Sequence, residues 1–490
     1  MTDRASLSRR AVLLGAGAGL LAGACTSPDT PHPRKGVTIF DLSFTELHRY
    51  RSFHVVAPGF VQEAHPAVGD VAGLTRSDAS PQAPFAAVEV DVERAGGVVV
   101  AGLSAADGDR VVATYSASSR TVAIEIRSAG RTRVVRRARN VHLTEPFTFA
   151  FAVCENQVTV LARPPGEGSW RPLLTERTRV SALVDLRRPD NLHRFGYTWG
   201  ARSGTATLGE VRAGLFGMTG LRDPHVVQHA DGRPFVRDGL AYLTWTCAGL
   251  GFFQQAHWGV FTLDLADPTR LEQVAQLYSH RDGLLVGDHA GQLVRDGDRW
   301  LVATSSWGDF DFAGVHVRHL TTADDLLSGV HVLETQRTEL PTDVSAWDPG
   351  FTRVDGRWFL GFVESPSQDP FDFHPTLAST GDRSPWTGQT LVGAADDLHQ
   401  CEGPVIVRVA HRWWLLASDG KARHYPVFDL TMKRVGRLDA PYPTNIPHPQ
   451  LLRRDDGSWL MVCFDGTQFA EPTMGYGGHG DVVVMESRDE

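Results

Sequence analysis

Residues 347–365 read WDPGFTRVDGRWFLGFVES. An aspartate in a Trp-Asp-Pro corner precedes an alternating run, an Asp-Gly turn and a second run led by an aromatic residue. The alternation has the period of a half-buried strand, and Asp-Gly supplies the positive φ that a tight hairpin turn needs. The same form recurs in DGRPFVRDGLAYLTWT (231–246), HAGQLVRDGDRWLVATSS (289–306), HQCEGPVIVRVAHRWWLLASDG (399–420) and HPQLLRRDDGSWLMVCFDG (448–466). With Tyr242, Trp300, Trp358, Trp413 and Trp459 as markers, the spacings are 58, 58, 55 and 46 residues. Strand repeats of this size are propeller blades, each of which needs its neighbours to bury both faces. Residues 217–490 are therefore expected to form a five-bladed β-propeller.

Upstream, residues 37–216 consist of short alternating runs such as FAAVEVDVERAGGVVVAGLS and FTFAFAVCENQVTVLAR, bounded by Gly, Asp, Asn or Ser. Many strands with almost no helical periodicity predict an antiparallel β-sandwich or jelly roll. The whole chain is thus expected to be all-β. ENQVTVLARPPGEGSWRPL resembles the hairpins of concanavalin-like or laminin-G-like sandwiches, which bind sugar or brace a catalytic domain.

The first 25 residues carry a twin arginine (Arg9, Arg10), an apolar Gly/Ala/Leu run and a small-residue cleavage region, the layout of a twin-arginine export signal. Cys25 directly after Ala22-Gly23-Ala24 is a candidate lipidation site, and residues 26–36 read as a flexible tether. The expected location is extracellular, or lipid-anchored on the outer face of the cell membrane. The only expected membrane contact is through Cys25. A formal net charge of −9 gives no electrostatic footprint for nucleic acid. The arginine-rich stretch RTRVVRRARN (131–140) reads as a solvated strand face. Cys154, Cys247, Cys401 and Cys463 lack metal-type spacing, and their pairing is open. A monomer is expected.

Register directs attention to the starts of the inner strands, which converge around a propeller's axis. Asp231, His289, Glu402 and His448 each stand eleven residues before their aromatic marker, and Asp348 ten before Trp358. Carboxylates gathered there suit glycosidic cleavage, which needs one protonated acid for the leaving oxygen and one ionised carboxylate as base or nucleophile. Glu402 is the candidate acid and Asp348 the carboxylate that raises its pKa. The base is Asp223, from Asp223-Pro224, or Asp231, from register. His289, His448 and Asp288 are candidate hydrogen-bond partners for sugar hydroxyls, and Trp307 and Trp347 candidate platforms for a sugar ring.

These motifs resemble glycoside hydrolase family 43, with families 32, 62 and 68 as relatives of the same architecture. The Trp-Asp-Pro, Glu-Gly-Pro and Pro-His-Pro blocks carry the likeness, which covers roughly residues 220–490. The resemblance implies an inverting hydrolase of a furanose- or pentose-containing glycan such as arabinan, arabinoxylan or fructan. It also implies Glu402 as general acid and Asp348 as modulator. No cofactor is required, although relatives hold calcium or another cation at the axis, where His448 is the candidate ligand. Two alternatives stay open: a retaining fructan-type hydrolase with an Asp nucleophile, and a non-catalytic glycan-binding lipoprotein.

Overall fold

The computed structural model describes residues 38–166, 169–311, 314–444, 446–468 and 478–487. The export signal, Cys25 and the tether lie outside the described residues. Strand makes up 61% of the structure and helix 4%, which puts the chain in the all-β class. No helix among the described residues is long and apolar enough to cross a membrane.

Five sheets follow one another from Leu221 to Ser487, antiparallel except where Gln228–His229 joins His289–Asp296 and Gly329–Glu334 joins Leu271–Arg281 in parallel. Their innermost strands are Leu221–Val226, His289–Asp296, Ser345–Val354, Cys401–Val409 and Gln450–Arg453. Each is hairpin-paired with the next strand, as Ser345–Val354 is with Arg357–Gln368. The apolar faces bury against neighbouring sheets. Leu293 and Val302 pack with Val260 and Leu277 between the first and second sheets, and Trp358 and Leu360 with Val294 and Leu301 between the second and third. Ile406 and Leu415 meet Leu377 between the third and fourth. Met461 and Val483 meet Leu416 and Tyr425 between the fourth and fifth. Leu460 and Val484 then meet Leu221 and Leu243, so the fifth sheet packs back on the first and the five form a closed ring. Three aromatic markers are also covered by the arginine directly across the hairpin: Arg295 over Trp300 at 5.0 Å, Arg353 over Trp358 at 5.2 Å and Arg408 over Trp413 at 5.8 Å.

The fourth strand of the fifth sheet does not come from the repeats. Thr45–Tyr50 pairs antiparallel with His479–Ser487, and Ile39, Leu42 and Phe44 bury in the core between the fourth and fifth sheets. Residues 38–50, placed by sequence with the upstream segment, thus belong to the ring. Their alternating pattern is the same as that of the strands that follow, so composition could not separate them.

Between Tyr50 and Leu221 the chain builds two sheets that face each other across one core, with Val88, Phe149 and Val160 from one meeting Val99, Ile124 and Tyr197 from the other. The far face of the first of these sheets, including Phe85, Ala150 and Leu161, packs on Leu250 and Tyr278 of the first ring sheet. Gln276 Nε2 donates to Phe216 O at 3.1 Å and Gly287 N to the Glu155 carboxylate at 3.1 Å across the same contact. Residues 37–490 accordingly make one compact unit. The four described cysteines are buried and free.

Candidate active site

Each innermost strand of the ring has a residue at positive φ in its first few positions or just before it: Asp223 at 48°, Ala290 at 52°, Asp348 at 52°, Gly403 at 66° and His448 at 56°. In the first four sheets this residue falls in a register shift of the hairpin, between Arg222/His225, His289/Gln292, Trp347/Gly350 and Glu402/Val405. Such a bulge re-aims side chains that a regular strand would send elsewhere. Gly403 has a second reason to be glycine, because a Cβ there would lie 2.5 Å from the His448 ring. The Glu-Gly-Pro block is therefore a device that lets the ring of His448 sit directly beside Glu402.

The re-aimed residues form a cavity of ≈ 180 Å³, lined by Asp223, Asp348 and Glu402 with Arg222, His289 and a wall of aromatic side chains. Beneath the carboxylates lies His448, 1% exposed. Its Nε2 is 3.5 Å from Asp348 Oδ2 and 3.8 Å from Glu402 Oε1, and its Nδ1 is 4.0 Å from Asp223 Oδ1. Trp347 Nε1 donates to Glu402 Oε2 at 3.1 Å, which orients that carboxylate. Asp348 N is held by Ser305 Oγ and His448 N by Ser418 Oγ, both at 3.0 Å.

The three buried groups differ in how they hold protons. Burial, then the neighbouring Glu402 and Asp223, raises Asp348 well above the usual carboxylate range, against the pull of His448. Burial disfavours a charged His448, but Asp348, Glu402 and Asp223 outweigh it and push the imidazole up to about 9. Asp223 is lowered despite its burial, by Arg222 first and then His448 and His289. The surroundings thus favour the ionised form of Asp223, the neutral form of Asp348 and the charged form of His448.

Of the residues singled out in the sequence, Asp223, Asp348, Glu402, His289, Trp307 and Trp347 line this one cavity. Asp231 does not. It lies in a turn, its side chain is 54% exposed, and it pairs with Arg233 at 2.7 Å. The register count misled because Ala241, not Tyr242, occupies the position of Trp358, as the pairing of His225 with Thr244 and of Gly350 with Gly361 shows. Asp223 stands eighteen residues before Ala241, where Ala290, Asp348 and Gly403 stand ten before their aromatics. The extra residues form the loop after Val226.

Asp288 is unavailable to a sugar: it is fully buried and both its oxygens are taken by Arg281, at 2.7 and 2.8 Å. Burial holds His289 down at about 4, and its nitrogens already face Phe253 O at 3.1 Å and Thr246 Oγ1 at 3.4 Å. His448 is spent on the carboxylates and lies behind them instead of meeting sugar hydroxyls. Trp347 and Trp307 are nearly buried, so they serve as wall instead of open platform; Trp307 stacks on His289 with rings 6.2 Å apart.

Sequence reading missed Arg222, Phe253, Phe371, Phe373, Gln400 and Ile446, all in the cavity wall. Arg222 was visible as the neighbour of Asp223-Pro224. Phe371 and Phe373 lie beyond the hairpin that the repeat marks, on the strand Phe371–Thr380 that pairs with Arg357–Gln368.

Donor atoms of Asp348, Glu402 and His448 lie within 4.8 Å of one another. Two carboxylate oxygens and an imidazole nitrogen are fewer than the six to eight ligands that calcium takes, so a calcium ion here would draw its remaining ligands from water. His448, pushed up to about 9, itself places positive charge beside the carboxylates.

No protein-family model matches the chain, and no curated protein was found similar to it. Solved structures do match. An alpha-L-arabinofuranosidase from Lactobacillus brevis is 13% identical at a TM-score of 0.38, over 54% of this chain and 90% of that one. A GH43_1 enzyme from Xanthomonas citri complexed with xylose is 14% identical at 0.38, over 54% and 88%. A Penicillium chrysogenum alpha-L-arabinanase complexed with arabinobiose is 9% identical at 0.37, over 86% and 98%.

Proposed function

We propose that the chain is a glycoside hydrolase whose ring of sheets is a five-bladed β-propeller, braced by the β-sandwich inserted between residues 50 and 221. Glu402 donates the proton to the leaving oxygen. Asp223, kept ionised by Arg222 and the two histidines, takes the proton of the attacking water. Asp348, with His448, holds the proton and charge balance around Glu402. The observation that carries this reading is the convergence of three carboxylates from three sheets on one small cavity, where the surroundings lower Asp223 and raise Asp348 from the ordinary carboxylate value.

Asp223 and Glu402 face opposite nitrogens of the His448 ring. Inversion is proposed on the family 43 resemblance, and it requires the Asp223 and Glu402 carboxyls to stand about 6.5–9.5 Å apart, against about 5–5.5 Å for a retaining pair. The substrate proposed is a furanose- or pentose-containing glycan, on the Trp-Asp-Pro and Glu-Gly-Pro resemblance. Export by the twin-arginine route and lipidation at Cys25 belong to the same proposal and rest on residues 1–25.

Screening arabinan, arabinoxylan and fructan identifies the responsive glycan. On it, Glu402→Gln and Asp223→Asn are each expected to lower kcat/KM by about 10²–10⁴, while Asp231→Asn stays near wild type. Near-wild-type hydrolysis by Glu402→Gln would remove Glu402 as the acid.

A further inference from the structure

The second of the two face-to-face sheets has six strands, in the order Leu74–Arg76, Phe195–Arg202, Val98–Ala105, Arg110–Ser116, Thr121–Ser128 and Arg131–Arg139. Val111, Ala113, Ile124 and Ile126 point into the core, so strand alternation turns their neighbours to the opposite face. Cross-strand register identifies what that face carries. Arg110 stands opposite Arg127. Arg137 stands opposite Ala123 and Arg139 opposite Thr121. Thr121 pairs in turn with Ser116, Ser116 with Val98 and Val98 with Arg202. Arg110, Arg127, Arg137, Arg139 and Arg202 therefore share one side of the sheet.

Among the described strand residues on that side, Glu125 is the one carboxylate, and it is already bonded to Arg202. Arg137 and Arg139 are exposed. Arg127 donates to a backbone oxygen, Gly108 O, at 3.1 Å. Burial, then Arg202 and, after the opposing pull of Glu125, Arg127, lowers Arg110 below the ordinary arginine value. Arginines along an exposed edge guard it against pairing with another sheet. That explains Arg137 and Arg139 on the edge strand, but not Arg110, Arg127 and Arg202 on interior strands. In a chain of net charge −9 this concentration of like charge is local, and among the described strand residues of this face Glu125 alone opposes it.

We propose that this face binds a linear acidic polysaccharide, a uronate-bearing glycan, by pairing its carboxylates with the arginines. Guanidinium forks match carboxylates in two-bonded geometry, which a lysine would not. From Arg202 to Arg139 the face spans roughly 19 Å across the strands, a reach suited to several charged sugars and too long for one small anion. The site is separate from the cavity of Glu402, and its occupancy does not depend on hydrolysis.

The test is binding of the full chain to polygalacturonate, with neutral arabinan, anionic phospholipid vesicles and duplex DNA as competitors. Polygalacturonate is expected to bind at low salt and to be released near ~0.5 M salt, where exposed charges are screened within a few ångströms. Arg137→Ser/Arg139→Ser is expected to weaken binding about tenfold, at the scale of two exposed ion pairs. That variant is expected to fold and to hydrolyse as wild type. Arg127→Gln supplies a second reading from an interior strand, with the same direction expected. Unchanged binding in both variants, no binding at low salt, or tighter binding to vesicles or DNA than to polygalacturonate would each overturn the assignment. Because the readout is binding, its failure is distinguishable from a failure of the hydrolase reading.

Discussion

His448 is the residue on which the site's electrostatics turn. Its folded pKa, about 9, lies above the ordinary histidine value of 6.5. A group raised on folding contributes stability that is fully present below its unfolded pKa and is lost as pH climbs through the folded value. The chain should therefore lose stability between pH ~7 and ~10 by more than its exposed charges explain, with a Tm fall on the order of 3–4 °C. His448→Asn removes the titrating group; it should be less stable at pH 6 and show a flatter profile over that window. A wild-type-like slope in the variant would mean that His448 is not the imidazole that holds the proton. Glu402 and Asp348 were legible as single residues because the Trp-Asp-Pro and Glu-Gly-Pro corners mark where strands begin. The partnership of Glu402 with Trp347 and His448 was not, since it depends on three sheets meeting.

At the scale of elements, a positive-φ residue at each inner strand, set in a bulge in the first four sheets, is what makes the ring into a site. Its register could be counted from sequence wherever a tryptophan marked the hairpin partner. In the first sheet the marker is Ala241 and the loop after Val226 is longer, so counting from Tyr242 led to Asp231 and away from Asp223. The closing strand Thr45–Tyr50 was illegible for a different reason. Nothing local distinguishes a strand that pairs across more than 400 residues from one that pairs with its neighbour. Phe44, 3% exposed in the core between the fourth and fifth sheets, reports on that closure. Phe44→Ala should lower unfolding free energy by about 3–5 kcal/mol in urea titrations, the usual cost of an emptied aromatic site. A loss below about 1 kcal/mol would mean that the segment contributes little to closing the ring.

For the whole molecule, the repeats announced the ring and the alternating runs announced a separate all-β segment, because each depends on short-range hydrophobic period. How the two join was beyond the sequence. The contact uses Phe85, Leu161 and Tyr278 from distant stretches, with Gln276 and Glu155 satisfying backbone groups across it. The cavity of Asp223, Asp348 and Glu402 lies on this closed ring, and the proposed acid and base would be pre-arranged by it. The most direct test of this account is time-resolved proton NMR of the responsive glycan's digestion by wild type and by Asp223→Asn. The account predicts that wild type first releases the inverted anomer and that Asp223→Asn is slowed by about 10² or more. A retained anomer, or an Asp223→Asn variant as fast as wild type, would contradict it.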